Sequence, residues 1–140
     1  MNEDLAKAAF DAALASYSPG FGTFFLAQLL GLEITYGEEN CTVEMLVADW
    51  MFNPQGTLHG GVINTVLDIA MGHLLKHTAG AGATLQMNTQ YLRAIQGGRV
   101  RAVSGFTRRG RSICFLEARL TDEAGALAAS ATSTWRLIEG

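Results

Sequence analysis

Cysteine is nearly missing from this chain, basic charge is in the minority, and no apolar run is long. The two cysteines, Cys41 and Cys114, lie far apart and form no C-x-x-C pair. Both fall in strand-like runs, so they read as buried, reduced thiols, and a disulfide framework is excluded. Ten basic residues face thirteen acidic ones, giving a net charge of −3. That balance argues against nucleic acid as the main partner. Residues 24–32 are apolar but too few to cross a bilayer. The start, MNEDLAKAAF, lacks the basic-then-apolar layout of a signal peptide. A cytoplasmic protein without a membrane partner is the expectation. No repeat, low-complexity stretch or linker is visible. What is present is a 49% hydrophobic composition in 140 residues. One domain spanning 1–140 accounts for it, with a helical cover over 1–30 and a core over 31–140.

The core turns on one stretch, NPQGTLHGGVINTVLDIAMGHLLK, residues 53–76. Pro54 and Gly56 mark a loop. From 62 to 75 the apolar residues recur with helical spacing and wrap most of the way round, which predicts a buried central helix. Asp68 interrupts it. A carboxylate buried without partners costs several kcal/mol or takes up a proton. At ~100° per residue, Gly61, Thr65 and Gly72 share its side of the helix, which leaves space beside an acid. A buried Asp satisfied by backbone or threonine is the plain alternative. Gly60 and Gly61 open the helix directly after His59, and free N–H groups at the positive end of the helix dipole favour a negative oxygen. A base facing an oxyanion site is the chemical reading.

The rest divides cleanly. Residues 4–17 predict an amphipathic helix, and 24–30 a second short one. Strands are predicted over 32–36 and 41–48, then, after the central helix, as a four-strand meander over 84–92, 99–107, 112–121 and 126–137. A long sheet wrapping one helix is the economical cover for an apolar cylinder.

The pattern N-P-x-G-T-L-H-G-G-(x6)-D resembles the hotdog-fold acyl-CoA thioesterases of the PaaI-like (phenylacetyl-CoA thioesterase) branch, over roughly residues 24–137. The resemblance implies an α+β hotdog fold: one long central helix wrapped by a curved antiparallel sheet of about six strands. It implies hydrolysis of an acyl-CoA thioester, with Asp68 as general base or nucleophile and the Gly60 N–H as oxyanion donor. Asn53 and Thr84 would align the attacking group, and His59 would hold the loop and help position the thioester. The turn Arg108–Ser112 would meet coenzyme A through Arg109, Gly110, Arg111 and Ser112, since guanidinium and turn N–H groups suit phosphate. No metal or redox cofactor is implied. A homodimer is implied, with the loop and Asp68 of each site drawn from different chains, and a dimer of dimers beyond it.

Some residues support rival readings. Phe21, Phe24, Phe25, Met71 and Tyr91 are candidates for an acyl pocket or simply for the core. His73 and His77, four apart, could share a zinc ion, but no third ligand is evident. Asp68 and His73 carry the D-x4-H spacing of hotdog hydratases, yet a helix turns them ~140° apart, which disfavours hydration of an enoyl thioester. A domain that binds acyl-CoA without turnover is the alternative from another class, and it would have little use for the acid.

Overall fold

Helix α3 (Gly60–Thr78) is the centre of the structure, a computed structural model that describes residues 1–138. It starts where His59 supplies the N-cap and runs nineteen residues. Its side chains from Ile63 through Leu75 are mostly buried, and Leu67, Leu74 and Leu75 are fully so. Removing each such side chain from water stabilises the fold by about 1.5–3 kcal/mol.

One six-stranded antiparallel sheet covers it: β1 (Glu33–Tyr36), β2 (Asn40–Leu46), β3 (Gly82–Tyr91), β4 (Arg99–Arg109), β5 (Ile113–Thr121) and β6 (Leu127–Leu137). The alternation in each strand selects the face. Cys41, Val43 and Met45 of β2, Val100 and Ala102 of β4, and Cys114, Leu116, Ala118 and Leu120 of β5 point at α3. Several inward positions are small, which lets the helix settle close. Ser104 on β4 donates to the Ala70 carbonyl of α3 at 2.7 Å.

The spatial order is β1-β2-β4-β5-β6-β3. Residues 84–137 are therefore not a four-strand meander. Only β4, β5 and β6 meander; β4 pairs with β2, and β3 crosses to pair with β6 at the far edge. The chain leaves the C-terminal end of α3 on one side of the sheet, runs back beside it as β3, and crosses by way of Ile95, whose carbonyl accepts from Leu58 N–H. The helix fills the centre, so the strand after it can join only at a free edge. Beyond the expected elements, a 3-10 turn, Asp49–Met51, precedes the loop.

Before the sheet come α1 (Glu3–Ser16) and α2 (Phe25–Leu29). Asn2 caps α1 by accepting from Asp4 and Leu5 N–H at 3.1 Å. Phe10 and Tyr17 meet Phe25 edge-to-face, with centroids 5.5 and 5.7 Å apart. Phe25 therefore ties α1 to α2. Among the described residues no helix is long and apolar enough to cross a membrane.

Candidate active site

Strand β3 lies along the one side of α3 that the rest of the sheet leaves open, and it runs opposite to the helix. A register shift between Thr84 and Gln86 decides what meets what. Before it, even-numbered residues face inward: Gly82 lies against Leu75, and Thr84 reaches Asp68. After it the parity flips. Thr89 donates to Asn64 Oδ1, and the Tyr91 ring lies against Gly60.

Asp68 is half-buried, and Thr84 Oγ1 donates to its Oδ1 at 2.9 Å, its sole hydrogen-bond partner among the described residues. Desolvation pushes the carboxyl pKa up, and the Thr84 bond partly opposes this by favouring the charged form. Asp68 faces a cleft of about 250 Å³ whose walls include Phe21, Phe24, Ile69, Gly72 and Trp135. Gly72 matters there: a Cβ would stand 3.0 Å from the Trp135 ring.

At the helix start, the backbone donors are assigned one by one. His59 Nδ1 accepts from Gly61 N–H at 2.8 Å, and the His59 carbonyl accepts from Val62 and Ile63 N–H. The Gly60 N–H is left without an acceptor among the described residues. It lies at the positive end of the helix, where an anionic oxygen is favoured. Gly60, Asn53, Thr57 and Tyr91 line a second cleft of about 360 Å³.

Asn53 is occupied within its own loop. Its Oδ1 accepts from Gln55 N–H at 3.0 Å and Thr57 N–H at 3.2 Å, while Nδ2 donates to Thr57 Oγ1 at 3.0 Å. One Nδ2 hydrogen remains for a ligand. The side chain organises residues 53–57 first, as an Asx turn does.

Two clefts thus hold the two halves of the expected machinery. Asp68 with Thr84 is in one, and Gly60 with Asn53 in the other. Eight residues separate Asp68 from Gly60, roughly 12 Å along the helix axis. One thioester carbonyl cannot touch both within a single chain.

The basic turn is divided as well. The Arg109 guanidinium donates to the Thr78 carbonyl and lies over the Phe106 ring at 5.8 Å. It caps the negative end of α3, which draws it away from a phosphate. At Gly110 a Cβ would collide with the Ile113 carbonyl, so the hairpin itself requires glycine there. Arg111 and Ser112 stay exposed, and Ser112 borders a cleft of about 400 Å³ with Ala83 and Arg136.

Of the aromatic candidates, Phe21 and Phe24 line the Asp68 cleft, Tyr91 lines the Gly60 cleft, and Met71 is buried against Ser133. His73 departs from expectation. It lines the same cleft as Asp68 despite the wheel angle. Helical side chains lean toward the N-terminus, and Gly72 opens the surface between the two. The D-x4-H spacing was the available signal; rotation about an ideal helix hid its meaning. His77 stacks on Tyr36 at 4.3 Å, and no cluster of three metal-ligating side chains occurs among the described residues.

Comparison with known proteins adds family context. The model of the thioesterase superfamily matches residues 55–129. The medium/long-chain acyl-CoA thioesterase YigI of Salmonella typhimurium is 30% identical over 107 residues, covering 65% of this chain and 67% of that protein. A phenylacetic acid degradation-related protein from Ralstonia eutropha JMP134 superposes with a TM-score of 0.76 at 27% identity, over 92% of this chain and 99% of that one. A Bacillus halodurans protein crystallised with CoA reaches a TM-score of 0.85 at 23% identity, over 99% and 93% of the two chains, and so shares the fold.

Proposed function

This chain belongs to the thioesterase superfamily and is a thioester hydrolase, and from that premise we propose that it cleaves aryl- or medium-chain acyl-CoA to the free acid and CoA at sites shared between two copies of the chain. The observation that carries the mechanism is the pairing of a cleft-facing Asp68 with a Gly60 N–H that has no acceptor among the described residues. Asp68 takes a proton from a water whose oxygen attacks the thioester carbonyl carbon, or its carboxylate attacks that carbon directly. The Gly60 N–H and the helix dipole receive the developing oxyanion. Thr84 holds the carboxylate. The tetrahedral intermediate then breaks its C–S bond and expels CoA as the thiolate, which gains a proton; on the water route this gives the free acid, and on the direct route a water then hydrolyses the acyl–Asp68 anhydride, releasing the acid and restoring the carboxylate.

The ~12 Å along the helix supports drawing Gly60 and Asp68 of one site from different chains. The open edge of β3 supports such a pairing, because every second residue along its ten-residue length turns its backbone N–H and C=O outward, away from β6. Leu85, Tyr91 and Leu92, at 57, 53 and 56% exposure, add apolar surface along it. A dimer of dimers remains the proposed larger assembly. Arg111 and Ser112 are the proposed CoA contacts; Arg109 is already committed to α3, and Gly110 shapes the turn.

Cleft size bears on the acyl group. About 250 Å³ lies below the usual range of ~300–1,000 Å³ for ligand pockets. Aromatic walls and that volume suit a ring or a moderate chain better than a long one. YigI is named for medium and long chains and the Ralstonia neighbour for phenylacetic acid degradation, so both classes belong in the screen. Free-thiol release from a panel of acyl-CoAs tests the proposal: turnover of aryl or medium chains, lost in Asp68→Ala, is expected. No thiol release across the panel, or full turnover by Asp68→Ala, refutes it. Because His73 shares the Asp68 cleft, the same panel should include an enoyl-CoA; loss of its enoyl absorbance without thiol release would identify a hydratase instead.

A further inference from the structure

The chain between α1 and α2 is a closed loop with one aromatic ring at its tip. Ser18 N–H donates to the Thr23 carbonyl at 2.9 Å, Thr23 N–H donates to the Gly20 carbonyl at 3.2 Å, and the Ser18 and Thr23 hydroxyls lie 2.6 Å apart. Those bonds pin the base and leave Phe21 at the tip. The Phe21 ring packs on the His73 imidazole with centroids 4.6 Å apart. The loop backbone stays close to the same ring: a Cβ at Gly22 would stand 3.9 Å from His73 Cε1.

His73 is a firm seat. It is 2% exposed, and its Nδ1 lies 2.7 Å from the Tyr36 hydroxyl. Tyr36 in turn stacks on His77. Burial lowers the imidazole pKa, and the hydrogen-bonding Phe21 backbone opposes this more weakly, so the ring is disposed to be neutral. A neutral imidazole under an aromatic ring is a wall that an alkyl chain can approach without desolvating a charge. The Phe21 side chain is less confined, at 45% exposure, and one face of it is already in water.

The Phe21–His73 pair closes one end of the Asp68 cleft, and Phe24, Ile69 and Trp135 form its sides. His73 lies five residues beyond Asp68, roughly 7.5 Å along the helix axis. An extended chain advances roughly 1.2 Å per bond. An acyl group whose carbonyl sits at Asp68 therefore reaches the pair after about six carbons.

We propose that Phe21, seated on His73, is a specificity-determining residue: its ring is the stop that sets acyl length in this cleft, and longer groups enter only when it swings toward solvent. The inference rests on the acyl-CoA reading of the cleft and assigns its length limit to one side chain. A methylene that finds apolar cover gains about fourfold in affinity. One that meets the stop gains little, because displacing Phe21 uncovers apolar surface in exchange.

The test uses ketone isosteres of acyl-CoA, in which a methylene replaces the thioester sulfur, because they bind whether or not the protein turns thioesters over. Hexanoyl and decanoyl isosteres are compared, with Kd measured by calorimetry. The wild-type protein should bind the two about equally, since the added methylenes arrive at the stop. In Phe21→Ala the decanoyl compound should gain at least about tenfold relative to the hexanoyl one, the return on two methylenes under cover. Phe21→Leu should shift the ratio the same way by less. Tyr36→Phe leaves the Phe21 side chain intact but loosens its seat, and should also raise the ratio in part. Phe25→Ala loosens α1 on α2 outside the cleft and should leave the ratio at its wild-type value. A tenfold decanoyl preference in wild type overturns the proposal, as does an unchanged ratio in Phe21→Ala or an equal rise in Phe25→Ala. Should Phe21→Ala fail to fold, an unchanged ratio in Phe21→Leu overturns it as well, and an unchanged ratio in Tyr36→Phe overturns the part given to His73. If neither isostere binds, the acyl-CoA reading fails and the inference with it. Thiol release from the acyl-CoA panel judges the hydrolase reading separately, so failure of the stop is not failure of that reading.

Discussion

Two inactive variants, Gly60→Pro and Asp68→Ala, should restore each other when assembled together. Gly60→Pro is chosen because proline removes the N–H and little else. Gly60 is the first residue of α3, a position where proline is favoured. His59 already has φ −62° and ψ 133°, the extended backbone that a residue before proline needs. A Cβ at position 60 would stand 3.2 Å from Tyr91 Cε1, and Tyr91, 53% exposed, can yield. Loss of one oxyanion donor costs about 10²–10³ in kcat. Loss of the general base costs about 10²–10⁴. Each homodimer should therefore be close to silent. In a mixed dimer, one site receives Asp68 from one chain and Gly60 from the other, both intact, while the second site loses both. Random assembly of equal amounts gives about half mixed dimers with one working site of two, so about a quarter of wild-type activity should return. Co-expression with two affinity tags, tandem purification and thiol release would measure it; the doubly tagged fraction should reach about half if isolated as dimers and a little over a quarter if isolated as dimers of dimers. If both variants fold and dimerise, and that fraction is as inactive as its parents, the shared site is wrong.

The remaining predictions concern charge. Burial holds the Asp68 carboxyl above its ordinary value of 3.8. Between that value and the raised one, the folded chain keeps a proton that the unfolded chain has released. Stability therefore falls as pH rises through this window, and the penalty persists at neutral pH. Asp68→Asn should unfold at a higher temperature than wild type at pH 7–8, with the gap closing below pH 4, while turnover falls by about 10²–10⁴; equal melting temperatures across that pH series would refute the assignment. The acid limb of kcat/KM should follow the same carboxyl, and Thr84→Val should move it to higher pH, because the Thr84 bond favours the charged form. Arg109→Ala should lower the unfolding free energy measured in denaturant by up to about 1 kcal/mol from the lost interaction with the helix end, and leave the KM for acyl-CoA near wild type, whereas Arg111→Ala should raise KM. A large KM rise in Arg109→Ala at unchanged stability would return Arg109 to the substrate.

Much of this protein was legible before any coordinate. The 3.6-residue recurrence from Val62 to Leu75 marks α3, and period-two alternation marks the strands to within a few residues, because both are local consequences of backbone geometry. The carboxylate at Asp68 stood out for the same reason: an apolar helix makes one acid conspicuous. The glycine pair after His59 marked the helix mouth.

What the chain alone could not reveal depended on contacts between distant residues. Local spacing says nothing about which edge β3 joins, so the order β1-β2-β4-β5-β6-β3 had to come from the fold. The shift between Thr84 and Gln86 reverses which residues face α3, and thus brings Thr84 to Asp68 and Tyr91 to Gly60; nothing in alternation announces an extra residue. Arg109 turned to Thr78, and Asn53 into its own loop, because a helix end and a tight loop offered nearer unsatisfied groups than any ligand. His73 joined the Asp68 cleft because side-chain lean and the gap at Gly72 override the angle of an ideal wheel. Sequence determined the elements and the reactive groups, since each is written in a few neighbouring residues. Tertiary structure decided which groups meet, since distance in space is set by packing the whole chain around one helix.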